Sequence, residues 1–199
     1  MIGHAIETAL KAESITRVFV STDDTEVSSI SRSFGAEVPF LRPHELADDQ
    51  TTTKPVIQHF IQALLSSETV PDGASFVCLY PCTPFLSASQ VDEGYKMLRE
   101  TGANFVYPVQ EYCHPVQRAL RINGTKLSFV TPDFELSRTQ DLEKHYFDSG
   151  QFYWGTQEAW LSEKNIHSNG HGMVVDGSRL IDIDNKEDWR RAERLYQIL

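Results

Sequence analysis

The chain has 199 residues, 40% hydrophobic and 23% charged, a composition that allows one domain with a sizeable core. Its formal charge of −10 argues against nucleic acid as a partner, because a phosphate backbone requires a surface rich in Lys and Arg. Without a signal peptide, a run of ~20 apolar residues for a membrane span or a CxxC pair, the sequence favours the reducing cytoplasm.

Helices and strands are expected to alternate through the first half of the chain. Residues 2–10 have helical spacing, and the apolar run 17–22 is typical of a strand that is buried on both faces. The next elements are a helix at 27–34, a strand at 37–41, a helix at 54–65 with Thr53 as N-cap, a strand at 76–80, a helix capped by Ser87 and ended by Gly102, and a strand at 104–109. This alternation predicts an α/β domain, with helices on both faces of a mostly parallel sheet.

The middle of the chain breaks this rhythm. Two short strands at 119–122 and 126–130 flank Asn123-Gly124, a dipeptide that favours a tight hairpin because both residues tolerate positive φ. We therefore expect an insertion over 111–149, of the kind that serves as a lid or a dimer contact. The core pattern then resumes with strands at 151–154, 173–175 and 180–184, a helix at 157–163, and a final helix, capped by Asn185, with Trp189, Ala192, Leu195 and Leu199 on one face.

Asp182 and Asp184 are the strongest candidates for chemistry. On a strand they share one face, while Ile181 and Ile183 occupy the other. Two adjacent carboxylates repel each other unless a cation lies between them, and Mg²⁺ commonly takes one or two carboxylates together with substrate phosphates. A strand end followed by a helix cap explains the same residues about equally well, so both interpretations stay open.

Other polar residues carry weaker signals. Asp23 follows a buried strand at the edge where ligands bind in α/β sheets, although a turn that caps a helix is the simpler interpretation. Arg42 could bind a phosphate, but a surface ion pair explains it more simply. Thr52 and Thr53 offer hydroxyls and amides at a helix N-terminus, which could bind an anion or could be an ordinary cap.

Two further segments have both a functional and a structural interpretation. Tyr80 lies in a proline-rich turn at the end of a buried strand, which could form a ligand wall or a rigid connector. Arg138 and Gln140 lie in the insertion, where the arginine could bind a carboxylate or the loop could simply be solvated. No glycine-rich phosphate loop occurs in the sequence, and the first element is a helix, so the phosphates are held otherwise or the chain starts inside the domain.

Taken together, several stretches resemble the acylneuraminate cytidylyltransferases, which are also called CMP-sialic acid synthetases. The stretches are VFVSTD at 18–23, GAEVPFLRP at 35–43, ELA at 45–47, YPCTPF at 80–85, and IDID at 181–184 followed by the helix of Trp189. SRTQDL at 137–142 and GQFYW at 150–154 are most similar to the pseudaminic acid cytidylyltransferase branch of that family.

The resemblance implies a Rossmann-like nucleotide-diphospho-sugar transferase fold in a single domain over 1–199, in which 111–149 forms the inserted dimerisation region. The implied reaction couples CTP to a nonulosonic acid, either pseudaminic acid or a sialic acid, and releases pyrophosphate with Mg²⁺ as the cofactor. A homodimer in the cytoplasm would carry out this step of surface-glycan biosynthesis.

The same resemblance implies roles for individual residues. Asp182 and Asp184 match the catalytic aspartates that hold the metal ion. The positions expected to contact the nucleotide are Asp23, Arg42, Thr52 and Thr53. Those expected to contact the sugar are Tyr80, Arg138, Gln140 and Gln151. Tyr80 stands where sialic acid synthetases carry a glutamine, so a different nonulosonic acid is expected.

One departure from the family pattern concerns the N-terminus. The family opens with a strand and a loop that carries Arg, Ser, Lys and Asn around the CTP phosphates, and Met1 aligns just after that loop. We therefore expect about 25 residues to be absent and the printed chain to have little or no activity. One alternative is a degenerate homologue that binds a sugar or a partner subunit. The other is an enzyme that activates the eight-carbon acid Kdo, but the segment 137–141 argues against this second alternative.

Overall fold

The computed structural model describes residues 1–198, over which helices and strands alternate as the sequence predicts. The α-helices are α1 (Ile2–Lys11), α2 (Thr25–Ser33), α3 (Thr53–Ser67), α4 (Ala88–Thr101), α5 (Gln157–Leu161) and α6 (Lys186–Tyr196). The β-strands are β1 (Ser75–Leu79), β2 (Phe105–Glu111), β3 (Leu120–Asn123), β4 (Lys126–Phe129), β5 (Tyr146–Asp148), β6 (Phe152–Thr156) and β7 (Gly170–Val174). The predicted α/β class is therefore confirmed.

The larger sheet has the strand order β1-β6-β2-β5, and β7 pairs with the other edge of β2. The expectation of a mostly parallel sheet needs correction, because among the described strands only β2 and β7 pair in parallel. The pairs β1·β6, β2·β6 and β2·β5 are antiparallel. The reason is that β6 returns from the insertion in the reverse direction and enters the middle of the sheet, where Trp154 lies opposite both Val77 and Val106.

Three of the predicted strands are present only as extended segments. Residues 17–22 and 37–41 run side by side in parallel, but they share a single bridge between Phe19 and Glu37. No strand is assigned at 180–184 within the described residues. Instead, the amide of Ile183 donates to the carbonyl of Cys82 at 3.1 Å, which fixes the segment without a ladder.

Two of the three hydrophobic clusters among the described residues lie on opposite faces of the sheet, and the third joins α1 to the segments around Val20 and Val38. One cluster packs α4 against the sheet and consists mainly of Val91, Leu98, Val106, Phe152 and Trp154. The other packs α3 and α5 against the opposite face and consists mainly of Ile61, Phe105, Tyr107, Tyr153 and Trp160. Neighbouring side chains of β6 therefore enter different clusters, which explains its continuous apolar sequence.

Most of the helix ends predicted from capping residues are confirmed. Ser87 and Gln90 form the predicted capping box of α4, and Gly102 ends that helix in the left-handed conformation, with φ of 64°. Asn185 caps α6 as predicted. For α3 the prediction is wrong by one residue: Thr52 is the N-cap and makes no side-chain capping bond. The prediction for Leu199 lies outside the described residues.

The insertion begins with the predicted hairpin, whose strands β3 and β4 pair only with each other. Gly124 has φ of 61°, as the tight turn requires. Several apolar side chains of the insertion are strongly exposed: Ile122 at 69%, Leu127 at 62% and Leu136 at 95%. The chain rejoins the main sheet at β5. The role of the insertion in dimerisation stays a prediction. None of the helices in the described part of the chain is long and apolar enough to cross a membrane.

Candidate active site

Asp182 and Asp184 lie on the extended segment between β7 and α6, where Ile181 is buried behind them. Burial raises the pKa of Asp182, and the charges of Asp184 and Asp188 raise it further. Asp182 and Asp184 are separated by one residue on this segment, and no regular strand holds them. That both carboxylates hold one cation stays a prediction.

The side chains around this pair fit Mg²⁺ only if a substrate completes the coordination. Among the described residues, no group of three or more His, Cys, Asp or Glu side chains could hold a metal ion by itself. Burial, followed by the charges of Asp182 and Asp184, raises the pKa of the nearby Cys82 thiol, so the thiol stays protonated. Two carboxylates supplemented by phosphate oxygens and water are a usual set of ligands for Mg²⁺.

A cavity of about 390 Å³ opens beside Asp182. Its wall includes Gln110 of β2, Asp148 at the end of β5, Gly150 of the loop that follows, and Arg191 of α6. Arg191 contributes a positive charge to the wall that Asp148 and Asp182 also line. The cavity therefore offers polar side chains and charges of both signs next to Asp182.

Asp148 organises one side of this cavity, and the sequence analysis did not identify it. Its carboxylate accepts hydrogen bonds from the amide of Gly150 at 2.9 Å, the hydroxyl of Tyr153 at 2.7 Å and Nε2 of His167 at 2.8 Å. Burial, with the bond to Asp148 next in importance, raises the pKa of Tyr153, so its hydroxyl remains a donor. An aspartate two residues before a glycine is a turn signal that could have drawn attention to Asp148.

Arg42 and Asp23, both predicted to contact the nucleotide, lie together at a second place on the surface. Nη2 of Arg42 is 3.9 Å from a carboxylate oxygen of Asp23, whose other oxygen is 3.4 Å from Nδ1 of His44. The simpler interpretation, an ion pair, is therefore present. The Nε of Arg42 is buried and has no hydrogen-bond partner in the structure, which leaves a donor free for a ligand.

The structure brings three predicted site residues together at the end of β1. The hydroxyls of Thr53 and Tyr80 are hydrogen-bonded to each other. The amide of Tyr80 donates to the carbonyl of Gln151 at 3.0 Å, and the side chain of Gln151 is buried. The Tyr80 ring packs against Tyr153 with the centroids 5.6 Å apart, which joins this group to Asp148.

The remaining predicted residues are more isolated. Thr52 is exposed at the start of α3. Arg138 pairs with Asp141 at 2.7 Å inside the insertion, and Gln140 is exposed beside it. In the part of the chain that the structure describes, neither Arg138 nor Gln140 bonds to any other predicted site residue.

Comparison with known proteins identifies relatives of the whole chain. A family model described as Cytidylyltransferase matches residues 1–194. The chain is 32% identical to the pseudaminic acid cytidylyltransferase of Campylobacter jejuni subsp. jejuni serotype O:2, covering 100% of this chain and 85% of that protein. It is 26% identical to the N-acylneuraminate cytidylyltransferase of Escherichia coli O18:K1:H7, covering 99% of this chain and 46% of that protein. The solved structure of CMP:2-keto-3-deoxy-manno-octonic acid synthetase in complex with CTP matches with a TM-score of 0.65 at 13% identity, over 100% of this chain and 88% of that one, and so shows the shared fold.

Proposed function

Because the chain belongs to the cytidylyltransferase family, we propose that it couples CTP to a nonulosonic acid to give the CMP-sugar and pyrophosphate. The observation that carries the proposal is that Asp182, two positions before Asp184, lines an open, polar cavity. Pseudaminic acid is the preferred sugar, since the relative with 32% identity over the whole chain is named for it. A sialic acid is the alternative, which the E. coli relative supports.

In this proposal Asp182 and Asp184 hold Mg²⁺ together with the phosphates of CTP. When bound, the ion would offset negative charge on the reacting phosphates. The proposal is supported by the raised pKa of Asp182, which burial causes first and the charge of Asp184 second, because a cation beside it would relieve both effects. A site of this kind binds its metal tightly only when CTP is present.

The reaction is a displacement at the α-phosphorus of CTP. The anomeric hydroxyl oxygen of the sugar forms the new bond to phosphorus, the bond to the β-phosphate oxygen breaks, and the hydroxyl proton leaves to solvent or base. The chain contributes mainly by positioning the reactants. Arg42 donates its free Nε–H to the nucleotide while Asp23 orients the guanidinium, and Thr52 and Thr53 border the same ligand; the unpartnered Nε supports this assignment.

The sugar is proposed to lie against Tyr80 and Gln151, which the bonds at the end of β1 hold in fixed positions. Arg138 and Gln140 reach the sugar from one subunit or the other of a homodimer. The exposed apolar side chains of the insertion support such a dimer, because large exposed apolar surfaces mark contact sites. A cytoplasmic location is proposed as well, since all the cysteines are free thiols.

The decisive experiment replaces Asp182 by Asn in the full-length protein and measures pyrophosphate release with CTP, Mg²⁺ and each candidate sugar. We expect the rate to fall by about 10²–10³-fold, the usual cost of losing one group that stabilises transition-state charge. Asp72→Asn, on an exposed loop, is the matched control and should retain the wild-type rate. Near-normal turnover of Asp182→Asn would refute the role of this residue, and comparing pseudaminic acid, a sialic acid and Kdo identifies the acceptor.

A further inference from the structure

Gly150 approaches the carboxylate of Asp182 more closely than any other residue type could. Its φ is +65°, a left-handed conformation that favours glycine. A Cβ added to Gly150 would lie 2.7 Å from Oδ2 and 3.5 Å from Cγ of Asp182. Oδ2 thus occupies the space that any side chain at position 150 would need.

Both sides of this contact are anchored, but not equally. The Gly150 loop is fixed because its amide donates to Asp148, and Ser149 donates from both its amide and its hydroxyl to the carbonyl of Pro108 on β2, at 3.1 and 3.0 Å. On the other side, the bond from Ile183 to Cys82 fixes the backbone next to Asp182, whereas all the atoms that an added Cβ would meet belong to the Asp182 side chain. A new methyl group at position 150 would therefore displace the carboxylate rather than either backbone.

We propose that Gly150 is a positioning residue that sets the place of the Asp182 carboxylate for metal binding. The inference rests on the proposed function, because it assumes that Asp182 is a metal ligand. Residues that hold metal ligands in place typically contribute about 10–100-fold to metal affinity. Displacement of the Asp182 carboxylate by a side chain at position 150 should raise the Mg²⁺ concentration needed for half-maximal rate, while kcat at saturating Mg²⁺ changes less.

Gly150→Ala tests the inference, with Gly102→Ala as the matched control. Gly102 has nearly the same φ, +64°, but an added Cβ would meet no atom within 4 Å. The two variants therefore share the backbone strain and differ in the contact with Asp182. Binding of Mn²⁺ to the full-length protein with CTP present, followed by electron paramagnetic resonance, needs no turnover, and Asp182→Ala supplies the reference for loss of the site.

We expect Gly150→Ala to bind Mn²⁺ about tenfold more weakly than Gly102→Ala, while both unfold at similar temperatures. Equal Mn²⁺ affinity of the two variants would overturn the role of Gly150 and leave the metal site standing. If Asp182→Ala binds Mn²⁺ as tightly as the wild-type protein, the proposed metal pair itself is wrong.

A second variant guards against misfolding. Gly150→Asn retains the left-handed conformation at lower cost, because asparagine adopts it more readily than alanine, yet it still introduces the Cβ. Weakened Mn²⁺ binding by folded Gly150→Asn supports the inference. If neither variant folds while Gly102→Ala does, the contact serves the fold rather than the metal, and the inference is overturned.

Discussion

The hydroxyl pair of Thr53 and Tyr80 joins the proposed nucleotide side of the site to the proposed sugar side. Tyr80→Phe removes this link but keeps the ring contact with Tyr153. We expect the KM for the sugar to rise about tenfold, the equivalent of one to one and a half kcal/mol for a lost hydrogen bond, while the KM for CTP changes little. Steady-state pyrophosphate release, with each substrate varied in turn, measures both constants.

The exposed residue Tyr112 provides the control for this substitution, because Tyr112→Phe also removes a hydroxyl but lies on the surface of the insertion. An unchanged KM for the sugar in Tyr80→Phe would remove Tyr80 from the sugar site. A parallel rise in both KM values would instead point to a general loosening of the end of β1.

Individual residues were predictable where their partners are close in sequence. Asp182 and Asp184 are two positions apart, so an extended backbone brings them together whether or not a ladder forms. The turn of Asp148 with Gly150 is local, but the bond of Asp148 to His167 joins residues 19 positions apart. Such a pairing exists only after the sheet has formed, and no local pattern in the sequence encodes it.

At the scale of elements, Asp92 ties the end of α1 to α4. Its carboxylate accepts hydrogen bonds from the amide of Glu13 at 3.2 Å and from the amide and hydroxyl of Ser14 at 2.8 and 2.6 Å. Burial alone would raise the pKa of Asp92, but the bonds from Ser14 and Glu13 outweigh it, so the pKa is lowered. A carboxylate with a lowered folded-state pKa stabilises the fold above its unfolded pKa and loses that contribution as the pH falls through the folded value.

Asp92→Asn should therefore lower the melting temperature at neutral pH, and its difference from wild type should shrink as the pH falls from about 5 to 3. Thermal unfolding followed by circular dichroism across this range measures the difference. Glu93→Gln, an exposed neighbour on the same helix, is the control and should follow the wild-type curve. A difference in melting temperature that stays constant with pH would show that the ionised carboxylate of Asp92 does not stabilise the fold.

Among the helices and strands, too, local features were predictable from the sequence and long-range features were not. Helix ends were predicted from short-range chemistry, as with Ser87 and Asn185, because a cap involves residues within one turn. Strand direction was not predicted correctly, because the partners of β6 are distant in sequence. One partner, β1, lies far back along the chain, and the other, β2, precedes the insertion. A continuous apolar run signals burial on both faces equally well in parallel and antiparallel surroundings, so the pattern could not reveal the reversal of β6.

At the scale of the whole molecule, the class of fold and the family followed from the order of elements and from scattered motifs, and both are confirmed. The association of subunits could not be predicted from the sequence in the same way. An association surface depends on which apolar side chains remain exposed after folding, and the sequence of the hairpin gives only their alternation. The structure adds that Ile122 and Leu127 remain exposed, as a contact between subunits requires.

If the insertion forms the proposed dimer, Ile122→Glu should make the full-length protein a monomer, because a charge buried in an apolar interface is costly unless it is paired. Sedimentation velocity over a range of protein concentrations measures the change. Tyr196→Glu, which alters a side chain that is 72% exposed on α6, is the control and should leave the dimer intact.

The same variant tests how the site is completed. Arg138 and Gln140 make no hydrogen bond to Tyr80 or Gln151 in the chain that the structure describes, and the proposed dimer gives them a route to the sugar from a second subunit. A monomeric Ile122→Glu protein should then bind CTP normally but show a raised KM for the sugar. Full sugar affinity in the monomer would mean that one subunit suffices and that the insertion serves another purpose.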